Sequence, residues 1–203
     1  MDYVQEFKTK KMKIKKFKVS LRKKEIFRNL KLTTEIKEIT PQLDEAVLKE
    51  IEKSNNYLSP AGVTETFPLS EALSKFELAP QDFEQKPVPI SVSVIVVTIG
   101  NTIEKEIELA RQSGKPLHSE IIHSLGLEAC NSSLNFIYRI INEESAEEEC
   151  TLLPLEKLSG DIEKSVTKKM DTQRIGVSID ENNQIHPVYS CAAIIRWINK
   201  VKK

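Results

Sequence analysis

Residues 90–99, ISVSVIVVTI, run almost without interruption through β-branched and apolar side chains. Two heavy atoms on Cβ crowd a helix and pack well on a pleated surface, so the segment is a strand. It lacks the polar–apolar alternation of a half-solvated strand. Both faces must therefore be covered, which places it near the centre of a sheet. At ten residues it falls short of the roughly 18 needed to cross a membrane as a helix. Gly100 ends it, and Asn101 is placed to cap a helix whose Ile103, Ile107 and Ala110 face inward. Gly114 closes that helix.

The other segments arrange themselves around this strand. Residues 116–144 carry a long apolar stripe, including Ile121, Ile122, Leu125, Ala129, Leu134, Ile137 and Ile141, and read as a long helix. Gly126 inside it costs about 1 kcal/mol relative to Ala, so it marks a close contact or a bend. Residues 20–30 form a short helix with Ser20 as N-cap and Ile26, Phe27 and Leu30 on one face. Pro41 opens another, with Leu43, Val47, Leu48 and Ile51 at helical spacing and Asp44 and Glu45 in the first turn. Residues 63–69 read as a strand and 70–90, with Pro80, Pro87 and Pro89, as irregular. A short apolar run at 151–155 and a helix at 161–170 follow. Strands at 174–179, 184–188 and 191–198 end the pattern; the last is also compatible with a short helix. The turn Asp180-Glu181-Asn182-Asn183 suits a hairpin, since Asn and Asp tolerate positive φ. The sum is an α+β domain with a largely antiparallel sheet and a long helix packed on it.

The 203 residues hold 30 basic and 30 acidic side chains, but unevenly. Residues 1–24 carry nine Lys and one Arg against Asp2 and Glu6, a net of +8, which leaves −8 for the rest. Met12, Ile14, Phe17, Val19 and Leu21 alternate imperfectly with the lysines. Residues 1–19 are thus a basic arm, or an edge strand that lysines keep from aggregating, ahead of a domain at 20–203. The balanced total argues against a dedicated nucleic-acid binder. An adaptor role for the arm, toward nucleic acid or an acidic partner, stays open.

Catalytic signatures are missing. The cysteines, Cys130, Cys150 and Cys191, are odd in number and lack CxxC spacing, which argues against disulfide scaffolds and zinc sites and for the cytoplasm. No apolar segment lies near the N-terminus, so neither a secretory signal nor a membrane span is expected. His118 and His123 stand at i, i+5, away from metal-ligand spacing, and no metal is expected. The six glycines form no GxGxxG, P-loop or GxSxG motif. The junction Thr98-Ile99-Gly100, where a strand meets a helix N-terminus, can offer backbone N–H groups to a small anion or carboxylate. A plain strand-to-helix turn is the reading that the residues alone favour. The residues alone describe a binding domain with no autonomous catalytic site.

Several segments, in order, resemble the activation domain of vitamin-B12-dependent methionine synthase. Val97-Thr98-Ile99-Gly100, followed by Ile103 and Ile107, resembles the family's "VTIG…L" segment. The stretch 122–129 (IHSLGLEA) is similar to its "LDAIGSEA" helix, and 174–179 (RIGVSI) to its "RIGVTL" strand. Glu181, Pro187 and Ser190 fall where the family has "TES", "P" and "SVSG", and 24–30 (KEIFRNL) looks like the short helix of its small stand-alone members. The resemblance covers roughly residues 20–198. It implies a curved α+β domain with a twisted, largely antiparallel sheet. It also implies a role in methionine biosynthesis: binding S-adenosylmethionine and presenting it to a cobalamin protein for reductive remethylation of cob(II)alamin. Cobalamin would be carried by the partner, a cobalamin-binding methionine synthase or another corrinoid methyltransferase. The electron would come from a donor such as a flavodoxin. The chain is then expected to be a separate reactivation subunit acting in trans, with Thr98, Gly100, Glu181, Pro187 and Ser190 as cofactor-binding residues. Glu181 is the leading polar residue among them, its carboxylate facing the ligand's cation or amine.

The chain also departs from the family. Where the family has an Arg followed by a Pro-Gly-Tyr turn, residues 150–160 hold no Arg and no Tyr. The aromatic residue after "SVSG" falls on Ile195, and the Asp of "LDAIG" becomes His123. An alternative is therefore a relative without S-adenosylmethionine binding, which acts as an interaction module or chaperone for a corrinoid methyltransferase.

Overall fold

The computed structural model describes residues 10–84 and 87–200. Strand β1 (Lys10–Lys15) is followed by helices α1 (Lys23–Thr33) and α2 (Pro41–Lys53) and strand β2 (Ala61–Pro68). Helix α3 (Leu69–Phe76) leads to β3 (Ser91–Thr98), α4 (Thr102–Gln112) and the long α5 (Pro116–Glu147). Strands β4 (Cys150–Leu152) and β5 (Glu156–Lys157) precede α6 (Gly160–Lys169). A short hairpin, β6 (Ser178–Ile179) and β7 (Ile185–His186), then feeds β8 (Ser190–Asn199).

The fold is α+β. Its curled sheet has the order β1-β2-β3-β8-β4, with β5 also pairing β8, and these pairs are antiparallel. Every residue of β3 is buried, as its unbroken apolar run demands. Val92, Val94 and Val96 pack with Phe67 of β2, Phe76 of α3 and Val166 of α6. Ile95 and Val97 point the other way, onto Leu134, Ile137 and Ile141 of α5. Each such side chain contributes roughly 1.5–3 kcal/mol by leaving water, so this two-sided burial anchors the sheet. A third apolar cluster joins α1, α2, α4 and the first half of α5 through Ile26, Leu30, Val47, Ile103, Ile122 and Leu125. Gly62 of β2 lets Ile137 approach the strand at a distance no side chain would allow.

Strand β1 is an edge strand whose lysines are exposed while Met12 and Ile14 are half-buried. Residues 1–9 of the basic arm lie outside the described residues. The final apolar segment is a strand throughout, paired with β3 from Ser91↔Trp197 to Thr98↔Ser190.

Four expectations are corrected. Residues 70–90 are not irregular throughout: LSEALSKF forms α3 directly after β2, burying Ala72 and Phe76. Ser20 does not cap α1. Arg22 holds that position, and the Ser20 carbonyl instead accepts a bond from Ser132 Oγ at 2.9 Å. Asn101 precedes α4 without a side-chain capping bond. Residues 174–179 are only partly strand, because a 3-10 turn at Thr172–Ile175 ends on Gly176 at φ 75°.

Candidate functional site

Antiparallel pairing brings the end of β3, the starts of β2 and β8, and the end of β1 to one edge of the sheet. Gly100 turns the chain there at φ 81°, a left-handed conformation that favours glycine. A Cβ on it would also lie 3.1 Å from Cβ of Ser59. The junction is tightly bonded. Gly100 N–H donates to Thr98 Oγ1 at 3.1 Å, Thr98 Oγ1 donates to the Tyr189 carbonyl at 3.4 Å, and Ser59 N–H donates to the Ile99 carbonyl at 2.9 Å.

A cleft of about 350 Å³ opens at this edge. Its walls are Pro60, Ala61, Ile175 and Pro187; Thr98, Gly100, Asn101, Ser59 and Gly176 add polar and backbone groups; Lys15 and Lys16 stand at one side. The peptide bond between His186 and Pro187 is cis. A cleft of this size, apolar with a few convergent polar groups, lies at the lower end of small-molecule sites.

The structure places the expected site residues as follows. Thr98, Gly100 and Pro187 line this one cleft. Ser190 sits opposite Thr98 in the β3–β8 ladder, and its buried hydroxyl has no hydrogen-bond partner among the described residues. An unmet buried hydroxyl costs about 1–3 kcal/mol, and Ser190 is not among the residues that line the cleft. Glu181 is exposed in the turn of the β6–β7 hairpin and does not line the cleft. Its neighbour Asp180 is held below the usual carboxylate range by the Gln184 N–H and then by His186, whose Nε2 is 2.9 Å away.

Two further residues line the cleft, and two more bond to β3 or β8. Lys15 and Lys16 are the charged side chains among the described residues of the cleft. Their sequence signal, an alternating basic arm, points to an edge strand and not to which loops it meets. Tyr189 accepts from Thr98 and Ile99 through its carbonyl. Its hydroxyl is 2.6 Å from Nδ1 of His123, and burial pushes its pKa up. Glu163 of α6 accepts from the Ala192 N–H of β8 at 3.2 Å, and desolvation raises its pKa. Only the tertiary fold reveals these last two.

Among the described residues, no group of three or more His, Cys, Asp or Glu is placed to hold a metal. No described helix is long and apolar enough to cross a membrane.

No protein-family model matches the chain, and no curated protein matches it. Among solved structures it is similar to the crystal structure of the MetH reactivation domain bound to AdoHcy. The likeness covers 100% of this chain and 84% of that chain, with a TM-score of 0.56 and 11% sequence identity. At that identity it is a likeness of fold. The long helix against an antiparallel sheet, carried through the whole chain, is the fold of the MetH reactivation domain.

Proposed function

We propose that this chain binds an S-adenosyl ligand, S-adenosylmethionine or S-adenosylhomocysteine, in the cleft at the sheet edge. In this reading it serves as a reactivation module for a corrinoid protein. The observation that carries the proposal is the likeness in fold, over the whole chain, to a domain whose solved structure holds AdoHcy. The cleft fits such a ligand in two respects: apolar walls at Pro60, Ile175 and Pro187 for an adenine, and cations for a carboxylate. S-adenosylmethionine would supply a methyl group activated by its sulfonium. The chain's own residues would bind and orient it, so the module contributes position and electrostatics. Remethylation of cob(II)alamin on a partner would further need an electron from a donor such as a flavodoxin. Titration calorimetry with both S-adenosyl ligands tests the binding. Saturable heat at micromolar to submillimolar affinity supports the reading, and none at millimolar ligand overturns it.

A second reading, an interaction module without the ligand, draws on residues 150–160. They hold no Arg and no Tyr, and they lie along β8 as β4 and β5, with Leu152 buried and Glu156 bonded to Arg196 at 2.6 Å. Capture of a corrinoid methyltransferase by a chain that ignores S-adenosyl ligands would favour it.

A further inference from the structure

The lysines of β1 divide into two groups. Lys10 and Lys11 each meet a carboxylate, Glu144 at 2.9 Å and Glu65 at 3.2 Å. Lys13, Lys15 and Lys16 form no salt bridge with a carboxylate among the described residues, although Asp171 attracts Lys13 at longer range. Lys13 and Lys15 crowd each other. Desolvation and then the neighbouring Lys15 ammonium push the pKa of Lys13 down, with Arg174 adding to the effect. Like charges gathered beside a cleft raise the local concentration of anions.

Lys16 adds a backbone observation. It sits at φ 56°, a left-handed conformation that costs lysine more than glycine or asparagine. Its N–H is tied to the Pro60 carbonyl at 3.1 Å, so the turn is fixed against the start of β2. The result is that two successive residues, Lys15 and Lys16, both line the cleft. Glu104 of α4 is engaged elsewhere: its Oε1 accepts the Val188 N–H at 2.8 Å. The cleft is thus apolar on its walls and positive at one side, with no carboxylate among the described residues that line it.

We infer that Lys15 and Lys16 are the carboxylate-binding residues of this cleft and hold the amino-acid end of the S-adenosyl ligand. The inference rests on the proposed ligand. It assigns to the basic strand the charge-assisted bonds that an arginine would otherwise make.

The test compares S-adenosylhomocysteine with 5′-methylthioadenosine, which keeps the adenosine and the thioether but has no carboxylate. Both are titrated into the full chain and into a Lys15→Gln/Lys16→Asn double variant. Both positions are exposed, and asparagine tolerates the left-handed turn, so the variant should melt near the parent temperature. The parent is expected to prefer S-adenosylhomocysteine by about tenfold or more, and the variant to bind the two ligands within about twofold. A salt series on the parent gives a second readout that needs no variant. Between 50 and 500 mM KCl, affinity for S-adenosylhomocysteine should fall several-fold while that for methylthioadenosine stays level. A variant that keeps the parent's preference, or a parent with none, overturns the lysine assignment and leaves the ligand reading intact. A parent that binds neither compound overturns both.

Discussion

A methyl group on Gly126 of α5 would stand 2.6 Å from Cε1 of Tyr189 and 2.8 Å from Cδ1 of Ile103. The long helix therefore reaches the start of β8 only because residue 126 has no side chain. Gly126→Ala gains about 1 kcal/mol of helix propensity, but overpacking a fixed ring costs about 1–3 kcal/mol. The ring is also held by His123, so the expected net is a loss of about 1 kcal/mol in urea unfolding. A variant as stable as the parent would show that Tyr189 gives way freely.

Glu128 is fully buried. It accepts from Arg22 Nε at 2.8 Å and Nη2 at 3.2 Å, and from Ser132 Oγ at 2.9 Å. Arg22→Ala strands that carboxylate. The expected cost is about 2 kcal/mol, below the figure for wholly buried pairs, because Arg22 is half exposed and water can follow. Arg22→Lys should recover only part of it, since an ammonium cannot reproduce the two-donor fork. Unchanged stability of Arg22→Ala would contradict this.

Burial raises the pKa of Glu163 above the usual glutamate value, with the Ala192 N–H opposing. A raised folded-state pKa means that the native chain holds a proton which the unfolded chain has released. This group's contribution is therefore fully present below the unfolded value and is lost as pH rises through the folded value. Glu163→Gln keeps an acceptor for Ala192 but cannot ionise. It should lessen the fall in stability as pH rises above the ordinary glutamate range, relative to the parent, read from denaturation midpoints. Parallel pH profiles for parent and variant would refute the coupling.

Trp197 Nε1 donates to Ser93 Oγ at 2.7 Å, and Ser93 Oγ is 2.7 Å from Thr66 Oγ1. One hydroxyl thus links β8, β3 and β2. Ser93→Ala removes it from a buried site and should cost about 1–3 kcal/mol. The chain's single tryptophan reports the unfolding directly by fluorescence. A cost below a few tenths of a kcal/mol would mean that the link is replaceable.

Much of the frame could be read from the sequence because packing there follows local pattern. The unbroken run at 90–99 is the central strand, the stripe at 116–144 is α5, and Gly126 is a close contact. Local pattern failed where tertiary context decides. The prolines around residues 68–89 hid α3, whose few apolar residues gain stability only under the sheet. Ser20 and Asn101 have capping chemistry, yet Ser20 lies outside the cap position and Asn101 holds it without a side-chain bond. Of the residues that short motifs point to, Thr98, Gly100 and Pro187 line the candidate cleft. The cations beside them depend on the β1–β2 register, Lys15↔Ala61, which no local spacing encodes. Glu181 shows the converse: it lies in the matching segment but points its hairpin turn into solvent.

Hydrogen–deuterium exchange with and without saturating S-adenosylhomocysteine tests the binding site most directly. The account predicts slower exchange in peptides covering residues 57–62, 97–103 and 174–190, which meet at the cleft, with the C-terminal half of α5 unchanged. No protection at millimolar ligand would contradict the ligand itself. Protection confined to residues 150–165 would contradict its place at the sheet edge.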